Sequence, residues 1–275
     1  MKQFDARNLS MMFDLYEMTM ANGYFEDKKR DRDDYVSFDV FYRNNPDGGG
    51  FAIFAGLVAD YGPQIAGSYG RAMAVYYPLC FIYIFTAFPL FAWFGGGKHG
   101  IKTMFRHITK PALVSLGTCS SVATIPTNLE EAEDTGVSKD VAEMVVPLGA
   151  TMHMDGSCFS CVLKIAFVWG VFGQEMSWGS LIPIVLVAVL SSVGMSGVPG
   201  GGYIGEYIIC SIFFPNQIEL AFPILVAIGN LVDPPATMIN SAGDYVVTYI
   251  VSRFADGKDW LDKAVAKKNA ASKAE

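Results

Sequence analysis

Asp233, Thr237, Asn240 and Asp244 recur at i, i+4, i+7 and i+11 in the run D-P-P-A-T-M-I-N-S-A-G-D. At about 100° per helical residue, their side chains fall within roughly 60° of one another on one helical stripe. The flanks are apolar, from Leu220 to Val232 and from Tyr245 to Val251. A carboxylate on such a helix costs about 2.5–3.5 kcal/mol on insertion scales, so two on one stripe point to an ion or a substrate. The competing reading is a soluble core helix with two satisfied aspartates. Composition decides between them.

Of 275 residues, 52% are hydrophobic and only 17% charged, against about 25% charged in an ordinary soluble domain. The charge is uneven. Arg7, Lys28, Lys29, Arg30, Arg32 and Arg43 lie with many aspartates in residues 1–57. Beyond Leu57 come uncharged runs, Ala72–Gly97 and Met176–Gly205, long enough at about 1.5 Å per residue to cross a ~30 Å hydrocarbon layer. The partner implied is a lipid bilayer. A formal charge of −7 argues against nucleic acid. The start is polar and mixed in charge, unlike a signal peptide. Cys158-x-x-Cys161 lacks a second pair to complete a metal or redox site and reads as small residues in a helix.

Several elements must position that stripe. Asn8 or Ser10 can cap a helix over about 11–25, Tyr35–Arg43 alternates like a strand, and Asn44–Gly50 is turn-rich. Asp60–Arg71 is a short link. Ala72–Phe94 is an aromatic-rich span with Pro78 and Pro89 as expected kinks. The basic loop Lys98, His99, Lys102, Arg106, His107 and Lys110 marks a cytoplasmic side. Lys110–Pro126, with a serine tip, is too short in either arm to span and precedes an acidic segment, Glu130–Asp140. A re-entrant hairpin and a soluble serine-rich turn both fit it.

Val141–Phe172 is a third apolar stretch, interrupted by G-A-T-M-H-M-D-G-S, as an unwound helix with carbonyls free for a cation would be. Lys164 within it is expected to snorkel or to pair with a carboxylate. Met176–Phe214 carries Glu206 alone as charge, and its glycine-rich Ser191–Gly202 splits it into two half-spans, a second hairpin. Its opening loop, Gly173–Trp178, lacks Lys and Arg and is expected outside. The basic tail with Lys258, Lys263, Lys267, Lys268 and Lys273 reads as a solvated, cytoplasmic terminal helix. The fold class is an all-α polytopic membrane protein with two re-entrant helical hairpins and a broken helix. A small α+β fragment precedes it. The domain bounds are 1–57, 58–254 and a tail over 255–275.

Two resemblances follow from these residues. The pieces Asp14-Leu15-Tyr16, Thr19-Met20-Ala21-x-Gly23-Tyr24, Arg43-x-Asn45-Pro46-x-Gly48-Gly49-Gly50 and Phe54-Ala55-Gly56-Leu57 resemble the amino terminus of nicotinate phosphoribosyltransferases. That resemblance stops near Leu57, without the family's catalytic body. The order of span, serine-tipped hairpin, broken helix with M-D-G, glycine-tipped hairpin and polar-striped helix resembles the dicarboxylate/amino acid:cation symporters over about Val58–Arg253. This implies a transporter rather than an enzyme, working by an elevator-type transport domain in the inner (plasma) membrane. It also implies a homotrimer, Na⁺ or H⁺ as coupling ion, no organic cofactor, and a small amino acid or dicarboxylate as substrate.

Carried over by position, the resemblance implies substrate contacts at Ser120, Ser121, Ser157, Val198, Gly202, Asp233, Thr237 and Asn240. One cation site would use the carbonyls of Gly149, His153 and Asn240 with the Asp244 carboxylate, and Asp155 adds a hard oxygen ligand. A second would use the carbonyls of Thr151, Ser192, Val193 and Met195. Ala236 stands where acidic-substrate members carry arginine, so a second substrate carboxylate lacks its bidentate partner. Asp233 still awaits an α-ammonium, and a neutral amino acid is the expected substrate. His153 replaces the family's asparagine and is expected as a neutral imidazole packed in the helix. Pro234-Pro235 frees the carbonyls of Asn230 and Leu231, to line a cavity or to mark a kink. The family's further amino-terminal spans are not found, so a joined or truncated reading frame is the expectation, with poor autonomous activity. The alternative is a remnant of the nicotinate-processing enzyme.

Overall fold

A computed structural model of the chain describes residues 63–174, 177–195 and 202–271. The helix, strand and loop expected within residues 1–57, and the enzyme-like fragment they form, lie outside the described residues, as does Val198. Among the described residues the regular structure is helical, without strands: α1 (Pro63–His107), α2 (Thr109–Thr118), α3 (Ser121–Thr135), α4 (Lys139–Met152), α5 (Asp155–Val171), a 3₁₀ turn (Trp178–Ser180), α6 (Leu181–Gly194), α7 (Gly202–Phe213), α8 (Ile218–Ala255) and α9 (Trp260–Ala271).

Among the described residues, three stretches are long and apolar enough to cross a membrane: Gly67–His107, the two-piece Lys139–Val171 and Ile218–Ala255. By contrast α6 has 14 residues and α7 has 12, roughly 21 and 18 Å, each short of a full crossing. The exterior is apolar. Phe81, Phe85, Leu90 and Trp93 on α1 and Ile182, Leu186 and Leu190 on α6 are all more than half exposed, an outer surface suited to lipid and costly in water.

The helix carrying the polar stripe, α8, is the hub, packing against α1, α2, α3, α4, α5 and α7. From Ala221 to Ser252 most of its residues are buried. Close approach is set by glycines facing it. A Cβ on Gly95 would lie 2.5 Å from the Tyr249 carbonyl carbon, and one on Gly156 would lie 2.3 Å from the Ala236 carbonyl oxygen. Polar pins fix the register. Tyr69, Tyr76 and Tyr83, seven residues apart on α1, donate to the Ile224 carbonyl, the Gly156 carbonyl and Asp155 Oδ2 at 3.2, 2.8 and 2.5 Å. On α3, Asn128 Nδ2 donates to the Ser241 carbonyl at 2.8 Å, and Thr135 shares a 2.6 Å hydrogen bond with Tyr245.

Three boundaries differ from the sequence expectation. The basic segment after the first span is helical, since α1 resumes after a break at Gly97 (φ 61°, ψ −143°) and runs on to His107. The acidic stretch is no separate segment either: α3 continues through Pro126 to Thr135 and ends on Gly136 at φ 102°. The broken helix is interrupted only at His153 and Met154, because the carbonyl of Gly149 still accepts His153 N–H at 2.8 Å. Pro234 and Pro235 do not interrupt α8. The Leu231 carbonyl freed by Pro235 accepts the Tyr77 hydroxyl at 3.0 Å, so a neighbouring helix supplies the missing donor.

Charged residues gather where α1, α3 and α9 end. His107 Nδ1 lies 2.6 Å from Glu131 Oε2 and Lys110 Nζ lies 2.5 Å from Glu131 Oε1. Arg253 donates to the Phe94 carbonyl and stacks over its ring, while Trp260 donates to the Gly95 carbonyl. Burial pushes the Glu131 carboxyl up, but Lys110 and His107 outweigh it and hold the group below the usual carboxylate range. A carboxyl lowered on folding stabilises above its unfolded value and loses that contribution as pH falls through the folded one. Glu131→Gln is therefore expected to lower thermal stability in detergent at neutral pH by about 1–3 kcal/mol. The gap to wild type should close as acid protonates Glu131; a gap independent of pH would refute the assignment.

Candidate functional site

The polar stripe, the break in α4–α5 and the ends of α2, α6 and α7 meet around one cavity. Its lining includes Cys119, Ser121, Ser157, Lys164, Glu206, Asp233, Thr237 and Asn240. Of the residues carried over as substrate contacts, Ser121, Ser157, Gly202, Asp233, Thr237 and Asn240 line it. Ser120 stands behind the wall and is buried.

Local chemistry explains each wall. Between α2 and α3 the chain breaks at Cys119 (φ 49°) and the extended Ser120 (φ −142°, ψ 112°). Ser120 Oγ accepts Ala123 N–H at 3.1 Å, an N-cap on α3. α2 and α3 are joined by two residues and pack against each other. At the start of α5, Asn240 does the capping from another helix. Its Oδ1 accepts Gly156 N–H at 2.8 Å and Ser157 N–H at 3.3 Å, and its Nδ2 donates to Ser157 Oγ at 2.9 Å. Asn240 thus holds the break open at the cavity edge. Asp233 is half-buried, and its Oδ1 accepts Thr237 Oγ1 at 3.1 Å.

The residues carried over as cation ligands fall into two groups. Gly149, His153, Asp155 and Asp244 come together. A Cβ on Gly149 would lie 2.5 Å from Asp244 Oδ1, so only glycine admits the carboxylate. Both Asp244 oxygens are buried; Oδ1 faces the His153 ring, and Oδ2 is left without a hydrogen-bond partner, open to a bound cation. His153 departs from expectation: it lies in the break, not packed in the helix. Its ring stands between two carboxylates, Nε2 3.3 Å from Asp155 Oδ2 and Nδ1 3.3 Å from Asp244 Oδ1. The second group sits at the ends of α4 and α6, which touch. There Thr151 and Val193 are exposed, Ser192 and Met195 are buried, and the Ser192 carbonyl accepts Met195 N–H at 3.1 Å. Among the described residues no three His, Cys, Asp or Glu side chains converge as a metal centre would require.

Sequence reasoning missed the partner of Lys164. Its ammonium lies 2.9 Å from Glu206 Oε1, and the side chains are only 4% and 2% exposed. Gly229 on α8 leaves room for both, since a Cβ there would meet Glu206 Oε1 at 2.0 Å and Lys164 Nζ at 3.2 Å. The signal was present, because Lys164 is the one basic residue of α5 and Glu206 the one charged residue of α7. Burial of such a pair is costly unless geometry and further hydrogen bonds compensate.

Long apolar helices, one of them broken beside a polar cavity, are those of a polytopic helical membrane protein. The pattern of the sodium:dicarboxylate symporter family matches residues 49–254. The chain belongs to that family. It is 27% identical over 218 residues to a C4-dicarboxylate transport protein of Rhizobium leguminosarum, covering 79% of this chain and 48% of the relative. It is 29% identical over 221 residues to one of Rhodopseudomonas palustris (80% and 48%) and 31% over 156 residues to one of Bradyrhizobium diazoefficiens (57% and 35%). The chain spans about half the length of the first two.

The backbone contact at Gly156 is the test of this construction. Gly156→Ala is expected to lower the thermal midpoint in detergent by the equivalent of about 1–3 kcal/mol, as overpacking does. Gly170→Ala on the same helix, where a Cβ meets nothing within 4 Å, should be neutral or mildly stabilising. Equal effects would mean that α5 and α8 are not in backbone contact.

Proposed function

We propose that this chain is the substrate- and ion-binding core of a cation-coupled symporter for small amino acids with uncharged side chains. The observation that carries the reading is Asp233, a carboxylate in a cavity whose walls include the capped break before α5 and the starts of α3 and α7. Helix N-termini favour a substrate carboxylate. Asp233 favours an ammonium group. An α-amino acid carries both. Ala236 leaves its place on α8 without a guanidinium, and the nearest cation in the cavity, Lys164, is engaged by Glu206.

The coupling ion is Na⁺, taken by Asp244 with the carbonyls of Gly149, His153 and Asn240, beside Asp155. The Asp244 Oδ2 left without a partner and the space kept by Gly149 support this assignment. A second ion would use the carbonyls of Thr151, Ser192, Val193 and Met195. The breaks after α2 and α6 act as re-entrant hairpin tips, the core moves as an elevator-type domain in the plasma membrane, and α9 lies on the cytoplasmic side. A trimer is the assembly implied by the family.

The relatives' names favour a second reading, a C4-dicarboxylate substrate, and Lys164 is the residue that would serve it. Binding to the purified full chain in detergent separates the two. Serine, alanine and threonine are expected to bind more tightly than aspartate or succinate, and the reverse ranking selects the dicarboxylate reading. Asp233→Asn should weaken alanine binding about tenfold or more, the scale of one charge-assisted hydrogen bond. Raising Na⁺ should tighten alanine binding to wild type, and Asp244→Asn should flatten that dependence. Unchanged sodium dependence in the variant would remove Asp244 from the ion site.

A further inference from the structure

The Lys164–Glu206 pair is not needed to bind an amino acid's shared head group, yet it is built into the cavity wall with care. Gly229 makes room for it, and both side chains are almost wholly removed from solvent. The pair is incompletely satisfied. Glu206 Oε2 is buried with no hydrogen-bond partner. Lys164 Nζ has Glu206 Oε1 as its one acceptor among the described residues, although an ammonium carries three N–H donors. Together they present an empty acceptor next to spare donors, in the same cavity as Asp233.

Resting on the amino-acid reading above, we infer that Lys164 and Glu206 form the subsite for the substrate's side chain, and that the side chain it takes carries a primary carboxamide. A carboxamide offers the complement on adjacent atoms: its carbonyl accepts from Lys164 Nζ and its NH₂ donates to Glu206 Oε2. A carboxylate offers acceptors only and would confront Glu206 Oε2 with like charge. A side-chain ammonium offers donors only and would confront Lys164. An alkyl group leaves both partners unmet in a dry site, where discrimination against a missing polar group is strongest. The ion pair therefore reads neutrality and polarity together, which neither residue could do alone.

The experiment is calorimetric titration of the purified full chain in detergent with sodium present, using alanine, asparagine, glutamine, aspartate and succinate. Asparagine or glutamine is expected to bind at least tenfold more tightly than alanine, and aspartate more weakly than either amide. A Lys164→Met/Glu206→Leu double variant replaces the pair with apolar groups of similar size, a change that spares folding where loss of one partner would not. It should bind asparagine and glutamine no more tightly than alanine. If wild type binds alanine as tightly as both amides, or the double variant keeps the amide preference, the inference is overturned while the amino-acid reading stands. If no amino acid binds, with or without succinate binding, both fall.

Discussion

Backbone amides and carbonyls without water must find partners inside the protein, and this constraint governs where the chain can stop being helical. The described gaps in helical hydrogen bonding obey it by different means. At Cys119–Ser120 the serine hydroxyl turns back on its own helix. At His153–Met154 the cap comes from Asn240, 84 residues away from Gly156. At Pro235 the orphaned carbonyl is met by a tyrosine on α1. Each solution places polar side chains beside backbone that is not fully committed, and together these make the cavity.

Much of this was legible in the residues. The i, i+4, i+7, i+11 stripe is a property of helical periodicity alone, and α8 carries it unbroken from Ile218 to Ala255. The glycine and aspartate interruptions read as breaks because their conformational preferences are local. Partners at long range were not legible. Nothing local couples Lys164 to Glu206, or Tyr77 to Leu231, since these pairings depend on which helices are neighbours. The seven-residue spacing of Tyr69, Tyr76 and Tyr83 was visible as a pattern, but Tyr69 read as part of a link and the other two only as aromatic content. The break at His153 was legible in the G-A-T-M-H-M-D-G-S run, but the two carboxylates its ring reaches, from α5 and α8, were not.

Charge sets a second constraint on the cavity. Lys164, Glu206 and Asp233 line it, which gives one ammonium against two carboxylates. The cost of ionised groups in such surroundings is reduced when opposite charges balance. A substrate bringing an ammonium offsets Asp233, whereas a substrate with two carboxylates and no amine adds to the imbalance. The family's name describes a dianionic cargo, but in this chain arginine is absent from position 236 and the available cation is already paired.

The ion and substrate sites proposed here share one mechanical element. Gly149 lies against Asp244 on one side of the two-residue break, while Gly156 and Ser157 are held by Asn240 on the other. Asp244 and Asn240 are one helical turn apart on α8, a buried hub with little freedom to yield. A cation that draws the Gly149 and His153 carbonyls toward Asp244 must therefore move the break relative to the Asn240 cap, and so reshape the cavity wall at Ser157. Coupling requires two sites that bias one element with more than one arrangement. The His153–Met154 break is the segment of this fold that both proposed sites would grip.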